Sequence, residues 1–172
     1  MAEIPNNIYF IGLMGAGKTT IGKILAKNLG KTFYDTDQVI EQRTGVKVST
    51  IFELEGEEGF RKRETAAIEE LCQLDNIVMA TGGGAVLLPE NRQALKQRGC
   101  VIYLRANVND LWVRMRHDKH RPLLQNVDVR AKLEQLYHQR NPLYTETASL
   151  IIDTGSQPVA NILNQIDTAF KK

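Results

Sequence analysis

Ile8-Tyr9-Phe10-Ile11-Gly12-Leu13-Met14-Gly15-Ala16-Gly17-Lys18-Thr19-Thr20 is the stretch that decides how this chain is read. Four consecutive apolar residues ended by glycine mark a buried strand. Ile21, Ile24, Leu25 and Leu29 follow at helical spacing, and Gly30 is a natural helix stop. Between strand and helix, residues 12–19 match Gly-x-x-x-x-Gly-Lys-[Ser/Thr] in full. Glycines let the backbone curl so that its N–H groups point at phosphate oxygens, and the following helix presents its positive end to the same anion. Gly15, Ala16, Gly17, Lys18, Thr19 and Thr20 are therefore candidate nucleotide-phosphate ligands. Lys18 reaches the terminal phosphates, and the Thr19 hydroxyl is placed to hold Mg²⁺. The plain alternative is a glycine turn with a surface lysine, but the full motif in a strand–loop–helix setting argues against it. Competing motifs fail. Gly15-x-Gly17-x-x-Thr20 lacks the third glycine of a dinucleotide fingerprint, there is no Asn-Lys-x-Asp tetrad, and His120-Arg121 runs into Pro122 rather than Asp.

Outward from the loop, short apolar runs alternate with helical patterns. Strands are expected at 32–34 ending at Asp35, at 77–80, at 101–104 and at 150–152. Helical pieces are expected over 38–72, broken at Gly45 and Gly56, then at 89–98, 109–115, 129–140 and 159–170. Five apolar strands separated by helices predict an α/β fold with a parallel sheet covered on both faces. The region 38–72 and the basic loop 116–127 read as insertions. A chain of 172 residues is expected to form one domain.

The crevice at the carboxyl ends of the strands should hold what receives the phosphate. Strand two ends in Asp35-Thr36-Asp37. Two carboxylates at i and i+2 of an extended segment point the same way. Asp35 is assigned to the metal, through water, and Asp37 to an acceptor hydroxyl whose proton it can take. Asp37 also reads as an N-cap for a helix beginning at Gln38. Gly82-Gly83-Gly84 opens into the same crevice and allows close approach to backbone N–H groups. Arg61, Arg121 and Arg140, the last ending its helix, are candidate anion ligands, because a guanidinium grips a carboxylate with two parallel hydrogen bonds. His117 and His120 have no third ligand nearby and read as polar loop residues.

Composition excludes other classes. Apolar residues at 42% and charged residues at 24% are ordinary for a globular chain and rule out disordered, collagen-like and disulfide-scaffold proteins. A net charge of +2 does not suggest a nucleic-acid binder. The total hides a sorting: residues 35–70 carry ten acidic and five basic side chains, whereas residues 92–140 carry eleven basic and four acidic. Cys72 and Cys100 form no Cys-x-x-Cys pair and read as small hydrophobes of a reducing compartment. With no signal-peptide pattern at the start and no apolar run near 20 residues, a cytoplasmic protein is expected, with no membrane partner. Nothing in the pattern demands a second subunit, so a monomer is expected.

Gly12 to Thr20, Asp35-Thr36-Asp37, Phe60-Arg61, Thr81-Gly82-Gly83-Gly84, Arg121-Pro122-Leu123-Leu124 and Arg140-Asn141-Pro142-Leu143-Tyr144 occur in an order and spacing that resemble bacterial shikimate kinases over essentially the whole chain. The one departure in these motifs is Thr19, where serine is commoner; both carry a hydroxyl. The resemblance implies a three-layer P-loop kinase fold, with a five-stranded parallel sheet in the order 2-3-1-4-5. It implies ATP-dependent phosphorylation of the 3-hydroxyl of shikimate on the route to chorismate, with Mg²⁺. It implies that Asp37 holds the shikimate hydroxyls and is the candidate base, that Arg61 and Arg140 grip the carboxylate, and that Gly82 and Gly83 line the pocket. Residues of about 35–62 would form the acceptor-binding region. Residues of about 116–127 would form a lid, mobile without ligand, whose Arg121 closes on the phosphates. Arg114 resembles the arginine stacked near adenine. Gln157 matches a second adenine-side loop, although Gly155-Ser156-Gln157 is less basic than most versions. Two alternatives stay open: a kinase of the same architecture for gluconate or a nucleoside monophosphate, and a nucleotide-binding module without turnover.

Overall fold

The computed structural model describes residues 3–115 and 128–171. Its elements run β1 (Ile8–Ile11), α1 (Lys18–Leu29), β2 (Thr32–Asp35), α2 (Thr36–Thr44), α3 (Val48–Leu71), β3 (Ile77–Ala80), a 3₁₀ turn (Ala85–Leu87), α4 (Pro89–Arg98), β4 (Cys100–Arg105), α5 (Val108–Met115), α6 (Val129–Thr147), β5 (Leu150–Asp153) and α7 (Val159–Phe170). The strands form one parallel sheet in the order β2-β3-β1-β4-β5, as the resemblance implied. Every residue of β1 is fully buried, as are Val78 and Met79 of β3 and Val101, Ile102 and Leu104 of β4. This is why the three central strands read as unbroken apolar runs, with helices excluding water from both faces.

Register places the site. Phe10 of β1 and Asp35 of β2 both pair with Ala80 of β3. The chain leaving β1 at Gly12, β2 at Asp35 and β3 at Thr81 therefore emerges along one edge. Thr81 reinforces the row, donating both its N–H and its hydroxyl to the Phe10 carbonyl, at 3.1 and 2.8 Å. Gly12 is required by packing as well as by motif: a Cβ there would lie 2.6 Å from the Leu104 carbonyl oxygen.

Gly45 caps α2 in the left-handed conformation, and Gly56, at φ 73°, kinks α3, so both glycines interrupt the helices as expected. Around the kink, Ile40, Ile51, Phe60 and Ala67 form a small second core with Val39, Val48 and Phe52. The Phe52 and Phe60 rings stack at 4.7 Å. The inserted segment thus adds a small core of its own, while Val39, Ile68, Leu71 and Cys72 tie it to the main core.

Two expectations are corrected. The helix carrying Arg140 does not end there: α6 continues through Pro142 to Thr147. Proline withholds one backbone N–H, but burying Tyr144 and Thr147 on the last turns outweighs that loss. The cap of α2 is Asp35, not Asp37. Its Oδ1 accepts the N–H groups of Asp37 and Gln38, at 2.9 and 3.2 Å, and the helix begins at Thr36. Asp37 is therefore in the first helical turn, not in an extended segment beside Asp35. The expected lid, about 116–127, with Arg121, His117 and His120, lies outside the described residues. Among the described residues no helix is long and apolar enough to cross a membrane. Cys72 is buried, Cys100 is half-buried, and both are free thiols.

Candidate active site

The phosphate loop runs from Gly12 to Lys18, with positive φ at Gly12, Gly15 and Gly17. Ala16 is buried and its N–H closes on the Leu13 carbonyl at 3.2 Å. Lys18, the first residue of α1, is largely buried and folds back over the loop. Its Nζ donates to the carbonyls of Gly12 (2.6 Å) and Leu13 (2.9 Å). Thr20, one turn into the helix, is exposed. The Thr19 hydroxyl donates to Asp35 Oδ2 at 2.7 Å. A hydroxyl and a carboxylate side by side at the phosphate end form a hard-oxygen pair that fits Mg²⁺, which is typically held by one or two protein groups plus phosphate oxygens and water. Among the described residues no group of three or more His, Cys, Asp or Glu could hold a metal by itself.

Arg114, from α5, spans two loops. Its guanidinium donates to the Gly15 carbonyl (2.8 Å) and the Gly155 carbonyl (3.0 Å), bringing the turn after β5 to the phosphate loop. Gln157 is in that turn, but its side chain is engaged locally. Its amide donates to the Asp153 carbonyl and accepts from Gln165 at 2.6 Å.

The residues expected on the acceptor side come from three helices and meet around the Gly82–Gly84 turn. A Cβ at Gly82 would lie 3.0 Å from both Asp37 Oδ1 and Glu64 Oε2. One at Gly83 would lie 3.3 Å from Arg140 Nη1, and one at Gly84 would lie 2.6 Å from Arg61 Cζ. Any larger residue in this turn would occupy the space those groups need. Asp37, Arg61 and Arg140, far apart in sequence, thus converge on one turn with Gly82 and Gly83. Arg61 Nη1 donates to Glu64 Oε1 at 3.0 Å, and Nη2 lies 3.3 Å from the exposed Glu57. Glu64 is fully buried.

Burial, reinforced by the neighbouring Asp35 carboxylate, pushes Asp37 up to about 6, against the opposing pull of Lys18 and Arg61. Burial also raises Glu64, with Arg61 opposing. Buried polar atoms are normally paired. Here Asp37 Oδ1, Glu64 Oε2, Arg61 Nε and Arg140 Nε are buried and have no hydrogen-bond partner among the described residues. Two carboxylates and two guanidinium groups converging on one turn match a ligand that offers both hydroxyls and an anion.

Three side chains at this site carried no role in the sequence. Glu64 reads as a solvated helix charge; its only signal is the i, i+3 spacing from Arg61. Thr36 sits between the two assigned aspartates, and its Oγ1 accepts the Gly82 N–H at 3.1 Å. Tyr144 ends the Arg140 motif, and its hydroxyl donates to the Gly83 carbonyl.

Comparison with known proteins adds the identity of the family. The profile of the shikimate kinase family matches residues 14–171. The shikimate kinase of Burkholderia lata is 56% identical over 160 residues, covering 93% of this chain and 87% of that protein. That of Chromobacterium violaceum is 55% identical over 166 residues, covering 96% and 90%. Among solved structures, the shikimate kinase of Acinetobacter baumannii in complex with shikimate superposes with a TM-score of 0.92 at 45% identity, over 96% of this chain and 93% of that one. A gluconokinase from Sinorhizobium meliloti shares the fold alone, with a TM-score of 0.58 at 16% identity. On the match across nearly its whole length, this chain belongs to the shikimate kinase family.

Proposed function

We propose that the chain transfers the γ-phosphoryl group of ATP to the 3-hydroxyl of shikimate, giving shikimate 3-phosphate and ADP on the route to chorismate, with the residues below in the stated roles. The observation that carries the acceptor assignment is the convergence of Asp37, Glu64, Arg61 and Arg140 on the glycine turn, each with one buried polar atom unpaired among the described residues. Arg61 and Arg140 take the carboxylate of shikimate, and Asp37 takes its hydroxyls. Gly82 and Gly83 supply the close backbone approach.

The acceptor oxygen attacks the γ-phosphorus in line. The new O–P bond forms as the bond to ADP breaks, and the hydroxyl proton passes to Asp37. A carboxylate pushed up to about 6 is ionised at neutral pH, yet basic enough to accept that proton. Lys18 exchanges its two carbonyl partners for phosphate oxygens. The N–H groups of Gly15, Gly17, Lys18, Thr19 and Thr20 cradle the phosphates, and Ala16, whose own N–H closes on the Leu13 carbonyl, holds the curl of the ATP-binding loop. Arg121, assigned by motif alone, neutralises charge on the transferring group. Arg114 and the Gln157 turn flank the adenine. Thr19 and, through water, Asp35 would hold Mg²⁺, which would supply charge neutralisation on the phosphates.

The chain is proposed to work as one domain, residues 1–172, with an acceptor region of about 35–62 and a lid of about 116–127. It is proposed to act as a cytoplasmic monomer on small molecules alone, with neither nucleic acid nor membrane as partner. The near-neutral charge supports the absence of a nucleic-acid partner, and size-exclusion chromatography tests the monomer. Shikimate-dependent ADP release, measured against a panel containing gluconate and nucleoside monophosphates, tests the activity. Faster turnover with another acceptor would overturn the shikimate assignment, and ATP binding without acceptor-dependent turnover would favour the non-catalytic module.

A further inference from the structure

We infer that the hydroxyls of Thr36 and Tyr144 are positioning groups for the acceptor, holding the glycine turn by its Gly82 N–H and its Gly83 carbonyl. The inference rests on the acceptor site proposed above. Glycines have no side chains to anchor them, and their backbone is the most permissive in the chain. The 82–84 turn therefore needs fixing from outside, and two bonds do this. Thr36 Oγ1 accepts the Gly82 N–H at 3.1 Å, and the Tyr144 hydroxyl donates to the Gly83 carbonyl. Both residues are fully buried, so water does not compete for either bond.

Each tether ties the turn to the helix carrying an acceptor group. Thr36 opens α2 and immediately precedes Asp37. Tyr144 lies on α6 four residues after Arg140, on the same helical face. Its ring packs on Tyr103 of β4, with centroids 4.9 Å apart, which fixes the direction of its hydroxyl. Burial pushes the Tyr144 phenol up to about 12, so it stays a donor across the working pH range. Turn, carboxylate and guanidinium are thus positioned as one unit, and misplacement of about 1 Å in such a unit is enough to weaken a site strongly.

Steady-state kinetics of the full chain test this with four variants. Tyr144→Phe removes one hydroxyl and keeps the ring. Thr36→Val removes the other, and Thr36→Ser restores it. In Tyr144→Phe and Thr36→Val the shikimate KM rises roughly fivefold to tenfold while the ATP KM stays within about twofold, and Thr36→Ser returns toward the parent value. Tyr103→Phe is the control, because its hydroxyl donates to Asn141 at 2.8 Å and not to the turn; both KM values stay unchanged. An unchanged shikimate KM in either folded tether variant overturns the inference. So does an equal rise in the ATP KM, or the same rise in Tyr103→Phe. If one tether variant does not fold, the other decides. A parent chain with no shikimate turnover would sink the functional reading itself, a result distinct from normal turnover with unmoved KM values in the variants.

Discussion

The two halves of the site treat their polar groups in opposite ways. On the phosphate side, Lys18 is bonded to the Gly12 and Leu13 carbonyls, Thr19 to Asp35, and Arg114 to the Gly15 and Gly155 carbonyls. The side chains of that half are paired within the chain. On the proposed acceptor side, four buried side-chain atoms have no partner among the described residues. The phosphate loop is a backbone cradle, whereas the proposed acceptor pocket is a cluster of side chains from three helices. A site of the second kind gives up stability for recognition.

The largest expected effect is on the phosphate side. Lys18→Met should lower kcat by roughly 100- to 1000-fold, because it removes a charge aimed at the transferring group. Near-normal turnover in the coupled assay would take Lys18 out of the chemistry. Next is Arg61→Ala, which should raise the shikimate KM by the equivalent of about 2–4 kcal/mol, with the ATP KM little changed. The contrast between the halves collapses if both KM values rise together.

A smaller effect tests the stored instability directly. Burial pushes Asp37 from its ordinary 3.8 up to about 6 in the folded chain. Between these values the folded state holds a proton that the unfolded state has released. Stability from this group is therefore complete below about pH 4, falls as pH rises through about 6, and stays low above. Asp37→Asn should be more stable than the parent chain by about 2 kcal/mol near pH 8 and level with it near pH 3.5, while losing activity. Urea unfolding at the two pH values reads this out, and no gain near pH 8 would mean that the carboxylate is not held at a penalty. The smallest effect is Arg114→Ala. Its bonds are exposed, so the ATP KM should rise only by roughly twofold to fivefold, with the shikimate KM unmoved. A larger loss in acceptor binding would show that the halves are coupled through α5.

The same contrast explains what was legible beforehand. The phosphate loop is contiguous, so its chemistry is written in eight consecutive residues with a strand before and a helix after. Asp37 and Arg140 were legible as residue types but not in their local geometry. Asp35 takes the cap, which puts Asp37 in the first helical turn, and α6 runs on through Pro142, which puts Arg140 inside a helix. Both differences come from tertiary bonds and burial overriding local propensity: Asp35 is also held by Thr19, and Tyr144 is buried beneath the glycine turn. Glu64 was illegible because an acidic residue beside three basic ones reads as surface, and only packing shows that it is fully enclosed.

By itself, the amino-acid sequence determined the strand–loop–helix unit, the five apolar strands and, through its ordered motifs, the family. These rest on local spacing and on runs of residues, which survive without a third dimension. Only the tertiary structure decided which side chains meet at the glycine turn, which oxygens and nitrogens stay open there, and which hydroxyls hold it. Those relations join positions 36, 82, 83 and 144, and nothing short of the sheet register and the packing of α2 and α6 brings them within hydrogen-bonding reach.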